Sequence, residues 1–279
     1  MAAYANPDAL IETDWLAERL DDPTLRVIEV DEDTTAYEKG HIRNSIGWNW
    51  FEDLHAKPRR EYVDQQGLTA LLQEAGVGPE TTVILYGGNN NWFAAYAYWL
   101  VRYLGFDKVK LLNGGRKKWE LESRELVDEV PSITATTFEV PGQVRDDLRA
   151  LRDEVLQKVG KVQFVDVRSP EEYRGELLAP AHLPQEQAQV GGHIPGAANV
   201  PWSRAANEDG TFKSADELKE LYDDAGVKSG TDVIAYCRIG ERSAHTWFVL
   251  TELLGYDDVE NYDGSWTEYG SLVGVPVEK

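Results

Sequence analysis

The sequence predicts an α/β protein made of two tandem copies of one unit, each a mainly parallel sheet flanked by helices. Two observations lead there: the chain repeats itself at a nearly constant offset, and each copy alternates short strand-like and helix-like patterns. A third observation, a lone cysteine at the end of one predicted strand, puts the chemistry in the second copy.

The repeat is read from matched pairs. Tyr86-Gly87 aligns with Tyr236-Cys237, Leu104-Gly105-Phe106 with Leu254-Gly255-Tyr256, and Asn113-Gly114 with Asp263-Gly264, all at an offset of 150 residues. Upstream, Gly40-His41-Ile42 matches Gly192-His193-Ile194 at 152, a change that small insertions explain. The least patterned stretch runs from Val127 to Val144, Thr-rich and broken by Pro131 and Pro141-Gly142, and reads as a linker. The expected organisation is therefore a first domain over 1–130, a linker over 131–145 and a second domain over 146–279.

In the second copy, apolar runs predict strands over 162–167, 232–236 and 259–261. Helical patterns fall at about 169–175, 215–225, 242–254 and 265–269. Ala244, Trp247, Phe248 and Thr251 share the three-and-four spacing of a buried helix face. Strands alternating with helices imply a largely parallel sheet, and ligands in such sheets bind beyond the strand C-termini, where Cys237 falls.

Composition narrows the class. A chain of 279 residues with a 42% hydrophobic share can bury two cores, and no apolar run is long enough to span a bilayer. The start, Met1-Ala2-Ala3-Tyr4-Ala5-Asn6, has neither the basic residues nor the apolar core of a secretion signal, and one cysteine makes no internal disulfide. Both observations favour a reducing cytoplasm. Against 28 Lys+Arg stand 49 Asp+Glu, a net charge of −21 with the acids dispersed along the chain. Such a surface opposes binding to nucleic acid or anionic membrane and suggests a halophilic protein in a salty cytoplasm. An internal tandem pair also reduces the need to dimerise, so a monomer is expected.

The run Val233-Ile234-Ala235-Tyr236-Cys237-Arg238-Ile239-Gly240-Glu241-Arg242-Ser243 carries the chemistry. A strand ends at a thiol, a tight loop follows, and a helix begins. Loop amides, the helix N-terminus and two guanidinium groups are expected to favour a Cys237 thiolate and an attached anionic sulfur. Arg238 and Arg242 present planar forks suited to an oxyanion, unless they pair instead with Glu241 or Asp232. Ser243 either donates its hydroxyl to bound sulfur or caps the helix. The first-copy counterpart, Gly87-Gly88-Asn89-Asn90-Asn91-Trp92, has no thiol and no cation, so that copy is expected to be catalytically inactive.

These residues resemble the rhodanese family, specifically its tandem-domain thiosulfate sulfurtransferases. The resemblance rests on Tyr173 ahead of Gly192-His193-Ile194-Pro195-Gly196-Ala197, on the loop 237–243, and on the closing stretch Asn261-Tyr262-Asp263-Gly264-Ser265-Trp266-Thr267-Glu268-Tyr269. It covers nearly the whole chain and implies two rhodanese-like domains, the second catalytic. It further implies a double displacement, in which thiosulfate passes its outer sulfur to Cys237 and the persulfide passes it to cyanide or another thiophilic acceptor. No metal or organic cofactor is implied. Cys237 is the implied catalytic residue, and Arg238, Ile239, Gly240, Glu241, Arg242 and Ser243 form the implied substrate-binding loop. An arginine directly after the cysteine matches thiosulfate users, whereas mercaptopyruvate users carry small neutral residues there. Four residues between Cys237 and Arg242, one fewer than in cysteine phosphatases, argue against a phosphate cradle.

Two departures stand out. Glu172 occupies the place of an arginine found in animal-type members, and Glu241 puts an acid in a loop usually neutral or basic there. The stretch 176–191 is an insertion expected to be a surface excursion. His41 and His193 share one place in both copies, so a structural hydrogen-bonding role is expected. Asp166 is expected to anchor the strand end or the cysteine loop, with Glu29 in its place in the first copy. His245 is expected to pack on a helix face, and no His or carboxylate spacing supports a metal site.

Overall fold

The computed structural model describes residues 3–58, 61–180 and 187–279. The chain forms two compact units: Asp8–Arg145 with Asn207–Phe212, and Asp146–Ala206 with Lys213–Lys279 and the preceding residues up to Pro7.

In the first unit, five strands, β1 (Leu10–Ile11), β2 (Leu25–Asp31), β3 (Ile46–Asn49), β4 (Thr82–Tyr86) and β5 (Val109–Leu112), form a sheet in the order β1-β5-β4-β2-β3. Every pairing is parallel. Its helices are α1 (Thr13–Ala17), α2 (Thr35–Lys39), α3 (Gln65–Glu74), α4 (Trp92–Tyr103) and α5 (Gly115–Leu121). Strands β2 and β4 are almost wholly buried, the pattern of a parallel strand covered on both faces. Helix α4, in which only Arg102 is not buried, packs on β2, β4 and β5.

The second unit repeats this plan. Helices α6 (Arg152–Lys158), α7 (Pro170–Tyr173), α8 (Ala215–Asp224), α9 (Glu241–Phe248) and α10 (Ser265–Tyr269) accompany strands β6 (Gln163–Asp166), β7 (Ala198–Asn199), β8 (Val233–Tyr236) and β9 (Val259–Tyr262). The order β7-β6-β8-β9, all parallel, is that of β3-β2-β4-β5. Where the first unit has β1 beside β5, the second has a single parallel bridge between Arg149 and Asn261 beside β9. The helix expected over 242–254 is α-helical only to Phe248 and continues as a π-helical turn over Val249–Leu253.

The matched residues perform matched tasks. The Ile42 amide donates to the Tyr86 hydroxyl and the Ile194 amide to the Tyr236 hydroxyl, each at 3.1 Å. His41 stacks on Tyr37 and His193 on Tyr173, with ring centroids 4.0 and 3.6 Å apart. Each histidine Nδ1 lies 2.9 Å from the carbonyl of its stacking tyrosine. The structural role expected of these histidines is what their packing shows.

The stretch expected to be a linker is strapped to the first unit. Thr136 donates through its amide to Gln73 O, Gln73 Nε2 donates to Phe138 O, and Gln65 Nε2 donates to Gly142 O, all along α3. Of the insertion 176–191, residues 181–186 lie outside the described residues. The rest is more than a surface excursion: Ala188 is buried in the core with Trp266 and Tyr269, and Trp266 Nε1 donates to Val190 O. Among the described residues no helix is long and apolar enough to cross a membrane.

Candidate active site

Cys237 follows the last residue of β8, so its position is set by an inner strand of the second sheet. Its amide donates to Ser265 Oγ at 3.0 Å, and its carbonyl and that of Arg238 accept from the Trp266 and Thr267 amides at the start of α10. The loop then turns at Gly240, which has φ +93°. A side chain there would be strained by the backbone angle and would lie 2.5 Å from the Asp263 Cα, so only glycine fits.

The sulfur of Cys237 is fully buried and receives the Gly240 amide at 3.2 Å. Burial, reinforced by the Glu241 charge, raises the thiol above its ordinary value, while Arg242 and the Ser243 amide pull it down without prevailing. This corrects the expectation of a stabilised thiolate. Loop amides and a guanidinium are present, but removing a sulfur anion from water beside a carboxylate outweighs them.

The two arginines are engaged. Arg242 Nη1 and Nη2 meet Glu172 Oε2 and Oε1 at 2.8 and 2.9 Å, with both side chains buried. The fork expected to receive an oxyanion thus holds the carboxylate of Glu172, a residue noted in the sequence only as a departure. Glu172 is itself placed by α7, where Ser169 and Glu172 form a capping box. The alternative pairing with Glu241 is also present but looser: Glu241 Oε1 lies 3.6 Å from Arg238 and 3.8 Å from Arg242.

Glu241 turns inward. Its Oε2 lies 3.2 Å from Cys237 Sγ and accepts the Ile239 amide at 3.3 Å. Ser243 takes neither of the roles open to it in the sequence: its hydroxyl donates to Asn261 Oδ1 at 2.6 Å, and Gly240 occupies the N-cap of α9. Asn261 Nδ2 in turn donates to Gly240 O at 3.1 Å, closing the loop onto β9. Asn261 and Ser265 were missed as site residues, although both lie in the closing stretch 261–269. His245 is buried edge-on to Trp202, ring centroids 5.1 Å apart, a packing position.

Asp166 holds Arg168 and not the cysteine loop: Arg168 Nε donates to Oδ1 at 2.9 Å, and its Nη2 donates to Gly192 O at 2.7 Å. In the first unit Glu29 holds Arg116, which likewise reaches Gly40 O. The same acid–arginine–glycine link is therefore built twice, with the arginine drawn from α5 in one copy and from just beyond β6 in the other. Trp266, at the repeat position of Arg116, packs under the Arg168 guanidinium at 4.8 Å. The first-copy loop satisfies itself: Asn91 accepts the Gly87 amide at 3.0 Å and donates to Leu112 O at 2.7 Å. Among the described residues no cluster of three or more His, Cys, Asp or Glu is arranged to hold a metal.

A buried thiol at the end of a parallel strand, in the tight loop of residues 237–240 that opens a helix, defines a cysteine-centred α/β domain, here doubled with one copy lacking the thiol. The chain belongs to the rhodanese family: residues 12–122 and 151–272 each match the rhodanese-like domain. It is 58% identical over 271 residues, 97% of this chain and 96% of the relative, to a Saccharopolyspora erythraea protein named "Putative thiosulfate sulfurtransferase". It is 51% identical over 282 residues, 99% of this chain and 98% of the relative, to the sulfur carrier protein TtuD of Thermus thermophilus. The crystal structure of SseA from Escherichia coli, described as a 3-mercaptopyruvate sulfotransferase, superposes with a TM-score of 0.78 at 25% identity, covering 92% of this chain and 98% of that one.

Proposed function

We propose that this protein is a thiosulfate sulfurtransferase that carries sulfane sulfur on Cys237 and passes it to cyanide or another thiophilic acceptor. The observation that carries the reading is the Cys237 loop, whose Gly240 amide points at the sulfur and whose first residue after the cysteine is Arg238. In the cycle, the Cys237 sulfur attacks the outer sulfur of thiosulfate and sulfite leaves. The acceptor then removes the outer sulfur and restores the cysteine. The loop amides favour the persulfide anion, and Arg238, directly after the cysteine, offsets part of the charge of a dianionic donor, while the Arg242 fork is held by Glu172. The full-length similarity to proteins named "Putative thiosulfate sulfurtransferase" supports the reading.

The similarity to TtuD favours a second reading, in which the persulfide is delivered to another protein. The test is thiocyanate formation from cyanide at high salt with thiosulfate and with 3-mercaptopyruvate separately, using Cys237→Ser as control. Thiosulfate turnover lost in the variant is the expected result. Preference for mercaptopyruvate would overturn the donor assignment. Persulfide formation without turnover to cyanide would favour delivery to a protein.

A further inference from the structure

We propose that Glu241 takes the thiol proton of Cys237 when sulfur is loaded and keeps it until sulfur leaves, so that the pair holds one proton and one negative charge throughout the cycle. This deepens the reading of Cys237 as the sulfur carrier and rests on it.

The geometry has three parts. Glu241 Oε2 lies 3.2 Å from Cys237 Sγ, within reach of its proton. The same oxygen accepts the Ile239 amide, one of the loop donors that an attached sulfur anion would need. Glu241 is 1% exposed, and its other oxygen accepts no hydrogen bond although Arg238 and Arg242 stand at 3.6 and 3.8 Å. The close contacts of the neighbouring arginines go to other acids, Arg242 to Glu172, Arg149 to Asp263 and Arg168 to Asp166, so Glu241 meets Arg238 and Arg242 only at the longer ion-pair distances. A persulfide anion formed against an ionised Glu241 would place two negative groups side by side without water, with the Ile239 amide turned to the carboxylate and not to sulfur. Protonating Glu241 removes the repulsion and frees the Ile239 amide for sulfur.

The balance closes. On loading, the Sγ proton passes to Glu241 Oε2 and Sγ bonds to the outer sulfur of thiosulfate. The donor S–S bond breaks with its electron pair leaving on sulfite, giving Cys–S–S⁻ beside a neutral carboxylic acid with total charge unchanged. On unloading, cyanide carbon bonds to the outer sulfur and the persulfide bond breaks toward Sγ. Sγ then recovers its proton from Glu241 as thiocyanate departs.

The experiment is infrared difference spectroscopy of the whole protein before and after thiosulfate, with mass spectrometry confirming one added sulfur on Cys237. Loading should produce the C=O stretch of a protonated carboxylic acid, and cyanide should abolish it. Glu241→Gln should load without that band and release one more proton per sulfur than the parent protein at neutral pH, the contribution of sulfite being common to both. Glu241→Asp should move the band rather than remove it, a control that stands even if the Gln variant fails to fold. Sulfur gain with no carboxylic acid band in the parent, or an unaltered band in Glu241→Gln, would overturn the proposal alone. Failure of Cys237 to gain sulfur from any donor would overturn the sulfur-carrier reading and the proposal together.

Discussion

The guanidinium of Arg242 and the carboxylate of Glu172 meet fork to fork, at 2.8 and 2.9 Å, although 70 residues separate them in the chain. The pair ties the start of α9, and with it the cysteine loop, to α7. Burial pushes the Glu172 carboxyl upward, but the Arg242 hydrogen bonds and charge, helped by the Ser169 amide, hold it below its ordinary value. Removing one partner strands a buried charge, so Glu172→Ala should cost about 3–5 kcal/mol. Urea unfolding of this variant checks the figure. Because the native carboxyl is depressed, the stabilisation is present above its unfolded value and fades as pH falls through the native one.

The buried thiol predicts a second result. Alkylation of Cys237 by iodoacetamide should show an inflection above the ordinary thiol value of about 8.5. Burial is the first cause and the Glu241 charge the second, so Glu241→Gln should lower the inflection. An inflection at or below the ordinary value in the parent protein would contradict the arrangement.

Asp31 stands at the repeat position of Arg168 and is buried at the end of β2, accepting the Gly88 amide. Burial raises its carboxyl to about 7, against the partial opposing effect of that amide. A carboxyl raised in the native state favours folding fully below its unfolded value, and that contribution is lost as pH rises through about 7. Unfolding free energy should therefore decline between about pH 4 and pH 7, and Asp31→Asn should flatten the decline.

The twin tyrosines offer a symmetric test. Tyr236→Phe removes the acceptor of the buried Ile194 amide, and Tyr86→Phe that of Ile42. Each should cost about 1–3 kcal/mol in chemical denaturation. A cost near zero in either would mean that the amide finds another partner.

The excess of acidic residues, −21 in net charge, sets the salt response. Raising KCl to about 1 M shortens the Debye length to about 3 Å and screens self-repulsion. The thermal midpoint should rise by several degrees, and full stability and activity in dilute buffer would contradict an adaptation to salt.

The tandem fold was legible because its signals are local. Strand ends such as Tyr86 and Tyr236, and the turn glycine Gly240, follow from apolar runs and from backbone angles that few residues adopt. Cys237 was legible for the same reason, since strand, thiol and helix start lie within one short stretch. The thiol's protonation was not, because amides and arginines can be counted in sequence but the cost of drying the sulfur cannot. Nor could the sequence decide between the roles open to Ser243, whose partner Asn261 comes from β9.

By itself, the sequence determined the doubled α/β plan, the absence of a thiol from the first copy and the placement of the one cysteine at a strand end. Periodicity and turn chemistry encode which residues are buried and where the chain reverses. Only the tertiary structure decided which acid meets which arginine: Glu172 with Arg242, Asp166 with Arg168, and Glu29 with Arg116. Those choices depend on strand order and helix placement, which bring distant side chains to contact distance in a medium where an unpaired charge is costly.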